Sequence, residues 1–271
     1  MIKRLSVFLC LLSLVSSCYY FQPVEDFPKG DVSVLSANLL GSNSDKEKVT
    51  QVLLGQDCSV MVLVEAKPEL NFIQSDIESA GYYVYFFKSN WSGFNIVIAS
   101  KVAGLEGRHD NYIQDVNYPD PINFLFGELR YSIAGRNFVL LGTHMPSPYS
   151  FERSSQDQVM NKLSSLYPIN KGVLIEGSGP EITSYPIVCG DFNAFPQESY
   201  FREFEKLGLV DSFIKNPDPY DYTWGFSGEP VLARIDYILV SEHFTILKQT
   251  TFKIPGSDHR GVKTALNLPE L

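Results

Sequence analysis

Pro186-Ile187-Val188-Cys189-Gly190-Asp191-Phe192-Asn193-Ala194 is the stretch around which the chain is organised. A short apolar run climbs to a glycine, and an acid and an amide follow two residues apart. The run is too short for a helix and opens on a proline, so it reads as a buried strand. Gly190 lets the backbone turn or pack closely where a side chain would obstruct. If strand geometry continues past it, Asp191 and Asn193 share one face, because side chains alternate. One charge and one neutral donor at a strand end suit a phosphate and its metal ion. On its own the stretch reads equally well as a strand followed by a polar turn, since Asp and Asn are common turn residues. Polar residues elsewhere in the chain tip the balance.

Other apolar runs also end on polar residues. Residues 31–37 alternate and are β-branched, and they deliver Asn38. Residues 58–64 are apolar on both faces, which makes a central strand ending at Glu65. A hairpin is expected from 124–133 and 138–143, turning at Ala134-Gly135 and ending at His144. Residues 235–240 form a strand with Asp236 inside it. The last strand, 262–268, follows Ser257-Asp258-His259. Residues 82–87 and 94–99 are further strands, the first of them aromatic and of a kind more often core than lipid-touching. Helical spacing marks 45–54, with Ser44 as N-cap, and also 69–80, 151–166 and 199–207. Residues 169–185 read as a long loop, either framing a substrate or simply tolerated. Residues 216–222 are proline-rich and irregular. Strands and helices alternate loosely with strand pairs between them, which gives a mixed α/β domain.

The N-terminus reads as an address. Lys3 and Arg4 precede an apolar stretch, 5–15, too short to span a bilayer. Ser16 and Ser17 then precede Cys18, the pattern of a secretory signal. Leu14-Val15-Ser16-Ser17-Cys18 resembles the bacterial lipobox. That resemblance implies a signal peptide over 1–17, a lipidated Cys18 with a tether over 18–30, and one domain over 31–271. It places the protein on the bacterial cell envelope, held by lipid on the periplasmic or extracellular side. Of the four cysteines, Cys58 and Cys189 remain in the domain. If Glu65 and Asp191 mark one end of the sheets, the two sulfurs differ in height by about 16 Å, too far for a disulfide. Both therefore read as buried thiols. Formal charge is −9, and loss of Lys3 and Arg4 with the signal would make it more acidic. Such a balance disfavours broad non-specific DNA binding but leaves room for a local basic groove.

Asn38, Glu65, His144, Asp191, Asn193, Asp236, Asp258 and His259 thus nearly all sit at strand ends, where open α/β sheets place their sites. Carboxylates suit Mg²⁺ or Mn²⁺, amides suit phosphate oxygens, and histidines suit proton transfer. Paired cysteines and a His-Glu-x-x-His helix are missing, so structural or protease-type zinc is not indicated. No glycine-rich phosphate loop of the nucleotide-driven kind is present.

The ordered set of motifs resembles the endonuclease/exonuclease/phosphatase superfamily, which includes deoxyribonuclease I, sphingomyelinases and inositol-polyphosphate 5-phosphatases. The matching pieces are Ser36-Ala37-Asn38, Val64-Glu65-Ala66, Gly93-Phe94-Asn95-Ile96, Gly142-Thr143-His144, Gly190-Asp191-Phe192-Asn193, Tyr222-Thr223-Trp224, Arg234-Ile235-Asp236-Tyr237-Ile238 and Ser257-Asp258-His259. Each is weak alone; in this order over 31–268 they are strong together. The resemblance implies a four-layer sandwich of two mixed β-sheets packed face to face, with helices outside. It also implies hydrolysis of phosphoesters by metal-assisted attack of water on phosphorus. By matching position, Glu65 would bind Mg²⁺ (or Mn²⁺), with Asn38 and Asp258 close by. His259, oriented by Asp236, would handle the proton of the water. Asp191 and Asn193 would position water and phosphate, and His144 would touch a non-bridging oxygen. Thr223 and Trp224 read mainly as packing and loop support, and Arg234 as a structural brace. His109 and His243 fall outside the motifs and read as surface residues. Leu40 departs from some DNA-acting relatives, which carry an acid or polar residue there.

Three readings of function follow. One is a nuclease-like phosphodiesterase acting on nucleic acid. Another is a phospholipid or inositol-phosphate hydrolase, which the acidic balance and lipid anchor fit better. The third is a non-catalytic surface-binding lipoprotein, disfavoured because every matching polar position is filled. A monomer is expected in each case.

Overall fold

The computed structural model describes residues 27–66, 71–87, 95–104, 112–113, 124–145, 167–176, 182–214, 222–225 and 233–270. The expected signal, Cys18 and most of the tether lie outside the described residues, as do the helix expected over 151–166, His109 and nearly all of 216–222. No described helix is long and apolar enough to cross a membrane.

Two mixed β-sheets stack face to face. The six-stranded sheet contains β1 (Val32–Asn38), β2 (Val60–Val64), β3 (Tyr83–Phe87), β4 (Ile96–Ser100), β13 (Thr245–Lys253) and β14 (Arg260–Asn267). Its order is β13-β14-β1-β2-β4-β3, and only β1 and β2 run parallel. The eight-stranded sheet contains β5 (Tyr112–Ile113), β6 (Phe124–Ile133), β7 (Arg136–His144), β8 (Ile169–Asn170), β9 (Val173–Glu176), β10 (Ile182–Asp191), β11 (Leu209–Asp211) and β12 (Asp236–Ser241). Its main path is β11-β12-β10-β7-β6-β5, with β7 and β10 parallel. Helices α1 (Lys46–Gly55) and α2 (Asn71–Ser79) share a core with the outer face of the first sheet, and α3 (Ser199–Lys206) with that of the second.

Period-two alternation sorts these strands into layers. In β1, Val32 and Val34 enter the core between the sheets, while Leu35 and Ala37 face α1 and α2. In β10, Ile187 and Cys189 point inward and Val188 outward, towards Phe201 and Phe204 of α3. Each of these large side chains contributes about 1.5–3 kcal/mol when buried. Carried on to the strand ends, the same parity turns Asn38 and Asp191 inward. It does so for His144 above Leu140 and for Asp236 below Ile238. Register then gathers them on one rim: Asn38 pairs with Val64, and Asp191 pairs with both His144 and Asp236.

Several expectations change. Asp45, not Ser44, is the N-cap of α1, and its carboxylate bonds Lys48 rather than the helix. Asp236 opens β12 instead of lying within it. Residues 169–185 hold β8, β9 and the start of β10, so they are not one long loop. Lys171 and Gly172 make the β8–β9 turn in left-handed backbone. That hairpin joins β10 at Ile182, about 30 Å along the strand from Asp191, at ~3.3 Å per residue. Strands β11 and β13 were missed. The aromatic strand β3 is an edge, with Phe87 buried but Tyr83 53% exposed. Cys58 and Cys189 are free and buried, as expected, on opposite faces of the six-stranded sheet.

Gly190 pairs with Thr143 at φ +146°, and a Cβ there would fall 1.8 Å from the Thr143 carbonyl oxygen. Gly190→Ala should lower the urea midpoint at unchanged slope, a loss above ~2 kcal/mol. An unaltered midpoint would contradict the close β7–β10 approach.

Candidate active site

Each strand end supplies one group to the rim. Asn38 donates through Nδ2 to Glu65 Oε1 at 3.0 Å and to Asp191 Oδ2 at 2.9 Å, while its Oδ1 accepts from Leu40 N. Glu65 sits just past β2 at φ 54°, an unusual conformation for a non-glycine residue. Bonds on both sides hold it there. Leu39 N donates to Val64 O, Ala66 N donates to Asn95 O, and Gly41 N donates to Glu65 Oε2 at 2.9 Å. Strain fixed by its surroundings is common at functional sites.

Across the gap, His144 Nε2 lies 3.8 Å from both Glu65 Oε1 and Asp191 Oδ2. His259 Nε2 approaches Asp191 Oδ2 to 3.8 Å, and its Nδ1 lies 2.8 Å from Asp236 Oδ2. Asn38, Glu65, His144, Asp191, Asp236 and His259 therefore form one connected group drawn from distant parts of the chain. Asn193 joins through its backbone: its N–H donates to Asp191 Oδ1 at 2.8 Å. Its side chain donates to Met145 O, and its backbone is left-handed, which Asn tolerates. So Asp191 and Asn193 do not present parallel side chains to a ligand, because the strand ends at Asp191.

Asp258 supplies no ligand atom to the two acid–imidazole groups but lies close enough to His259 to favour its charged form. Its Oδ2 accepts from Trp224 Nε1 at 3.1 Å. Its Oδ1 is buried without a hydrogen-bond partner among the described residues, and the same holds for Asp236 Oδ1.

Burial and charge set the protonation states. Burial, reinforced by repulsion from Asp236, raises Asp191 to about 7 against the pull of His259, Asn193 N–H and Asn38. Burial works against a charged His259. Attraction and a hydrogen bond from Asp236, with Asp191 and Asp258 behind it, outweigh burial and raise the imidazole to about 10. His144 is pushed down by burial and by the charge of His259, against the attraction of Glu65 and Asp236.

A cation fits this rim. Glu65, His144 and Asp191 offer ligand atoms within 4.8 Å of one another, and so do Asp191, Asp236 and His259. Among the described residues no Lys or Arg pairs with Glu65, Asp191, Asp236 or Asp258. A hard divalent ion with oxygen ligands would offset that excess of carboxylate.

Some contributors were undervalued from sequence. Thr223 Oγ1 accepts from both Ile235 N and Asp236 N at 3.0 Å, fixing the start of β12. Ser257 Oγ donates to Asn38 O and accepts from His259 N, linking the last motif to the first. Both lie in quoted motifs, which was the only signal available. Arg234 is the brace it was read to be, paired with Asp211 and lying over Phe213 and Tyr237. His243 is exposed and lies against Lys171 O, away from the rim.

Comparison with known proteins agrees with this geometry. The model of the Endonuclease/Exonuclease/phosphatase family matches residues 35–259. Nocturnin of Rattus norvegicus is 34% identical over 120 residues, covering 41% of this chain and 26% of that one. The match thus spans about a quarter of that relative's length. A structure of D. rerio TDP2 complexed with single strand DNA product aligns at TM-score 0.64 with 17% identity, over 87% of this chain and 98% of that one. The 3′ phosphatase NExo from Neisseria, bound to a product DNA hairpin, aligns at TM-score 0.62 with 16% identity, over 87% and 99%. At such identities these structures share the fold.

Because His259 is raised, the stability it draws from Asp236 is complete below its unfolded value near 6.5 and is lost as pH climbs through about 10. In metal-free protein, the ring protons of His259 should keep imidazolium shifts at pH 8. Asp236→Asn should move the midpoint down. Wild-type titration near 6.5 would contradict the ion pair.

Proposed function

The chain belongs to the Endonuclease/Exonuclease/phosphatase family of phosphoester hydrolases, and on that premise we propose that it is a Mg²⁺-dependent phosphodiesterase acting on nucleic acid. The observation that carries this reading is the unbroken contact from Glu65 through Asn38 and Asp191 to His259 and Asp236. The nucleic-acid substrate is supported by the DNA products bound in two structures of like fold.

Glu65 would be the first ligand of the ion, with Asp191, Asn38 and Asp258 as its neighbours; Mn²⁺ suits the same oxygens. A bound divalent ion offsets the diester's negative charge and stabilises the crowded transition state. Asp191, which loses its proton near neutral pH, orients the water and takes its proton. Asn193 N–H holds that carboxylate in line. His259, kept as imidazolium by Asp236, opposes the charge growing on the phosphoryl oxygens. The resemblance gave the water's proton to His259; the 2.8 Å contact of its Nδ1 with Asp236, which favours the charged ring, suits the electrostatic role better. His144 presents Nε2 to a non-bridging oxygen. A lipidated Cys18 would tether the monomer to the bacterial envelope.

A panel of plasmid DNA, RNA, abasic DNA, sphingomyelin, inositol phosphates and bis-nitrophenyl phosphate tests the reading. Nucleic acid and the nitrophenyl diester should be cleaved with Mg²⁺ and spared with chelator. His259→Ala and Glu65→Ala should each lower the rate by roughly 10²–10⁴. Cleavage of sphingomyelin or inositol phosphates alone would overturn the substrate. Inertness towards every diester would overturn the reaction.

A further inference from the structure

A cavity of about 230 Å³ has Glu65 as a wall in common with the candidate metal site. The buried side chains Leu39, Val49 and Ile73 give it an apolar floor. Ser42, Ser44 and Lys46 give it a polar rim. None of the roles assigned above uses these residues.

The cavity is built in advance of any ligand. Leu40 N is taken by Asn38 Oδ1 and Gly41 N by Glu65 Oε2. Asn43 N donates to Leu40 O, closing a tight turn. The Asn43 side chain donates to Leu39 O and to Pro255 O, and accepts from Asp45 N. A wall fixed at so many points loses little freedom when something binds against it.

Its charge is specific. Lys46 makes no ion pair or side-chain hydrogen bond among the described residues. Of the two acids beside it, Asp45 is already taken by Lys48 and Glu47 is solvent-exposed. Lys46 also opens α1, whose cap side chain makes no hydrogen bond to the first-turn N–H groups. In an acidic chain, a cation without an ion-pair partner among the described residues, lining a preformed pocket next to Glu65, is placed for an anion one group away from the reacting phosphorus.

Resting on the function proposed above, we infer that this cavity is a strand subsite for the nucleotide next to the scissile bond. Its phosphate meets the Lys46 ammonium, and its sugar lies over Leu39, Val49 and Ile73. Lys46 is then a specificity-determining residue that favours substrates carrying a neighbouring phosphate.

The test compares wild type, Lys46→Ala and Lys46→Arg on a short thymidine oligonucleotide. The same oligonucleotide is also made with an uncharged methylphosphonate on one side or the other of the cleaved bond. Lys46→Ala should raise KM about tenfold with kcat unchanged, as for a lost charge-assisted contact made equally in ground and transition states. Lys46→Arg should restore most of it. With the methylphosphonate on the subsite side, wild type and Lys46→Ala should converge. The salt dependence of KM should lose about 0.7 of a unit of slope, one single-strand phosphate contact. An unchanged KM in Lys46→Ala, or a loss that persists with both methylphosphonates, would overturn the subsite while leaving the hydrolase standing. If wild type cleaves neither the oligonucleotide nor bis-nitrophenyl phosphate, the function itself fails.

Discussion

The Asn38 amide reaches two carboxylates on opposite sides of the inter-sheet gap: Glu65 from its own sheet and Asp191 from the facing one. Those acids are 27 and 153 residues away in sequence. Hydrogen bonds from a neutral donor to a charged acceptor are worth about 1.5–3 kcal/mol each, and an unmet buried carboxylate costs at least as much. The distance between the two acids is therefore set by one planar group. His144 and His259 inherit that spacing, since both are measured against the same Asp191 oxygen. The sheets come together at this rim because two parallel pairs, β1–β2 and β7–β10, run their C-terminal ends to the same edge.

The rim also concentrates charge. Burial and the nearness of Asp236 make Asp191 reluctant to ionise, while Asp236 keeps His259 charged. Both groups hold their protons more tightly than usual, and one geometry does it: burial and Asp236 disfavour the Asp191 carboxylate, while the Asp236 hydrogen bond favours the His259 imidazolium. Among the described residues, one oxygen each of Asp236 and Asp258 has no hydrogen-bond partner, a demand that a divalent ion would meet.

Much of this could be read from the chain. Apolar runs ending at Asn38, Glu65, His144 and Asp191 announce strands with polar tips, and parity assigns the tips a face. That the tips converge was legible only through the ordered resemblance, because no local pattern encodes which strand ends adjoin. Strand β13 escaped because polar Gln249 and Thr251 take buried positions where an apolar alternation would have announced a strand. Strand β11 is three residues long, too short for any period to show. The β8–β9 hairpin hid behind its glycines, which signal turns whether or not strands flank them. Ser44 was a reasonable cap by composition, but Asp45 occupies the position and its carboxylate prefers Lys48. The cavity beside Glu65 was invisible, since its floor comes from β1's exit, α1 and α2 together.

The central claim is that these separated strand ends form one divalent-cation site, and paramagnetic Mn²⁺ reports on that directly. Added at low stoichiometry to isotopically labelled protein, it should broaden the ring signals of His144 and His259 while sparing His243, with Mg²⁺ in excess reversing the effect. Equal broadening of His243, or no broadening of either rim histidine, would contradict the account.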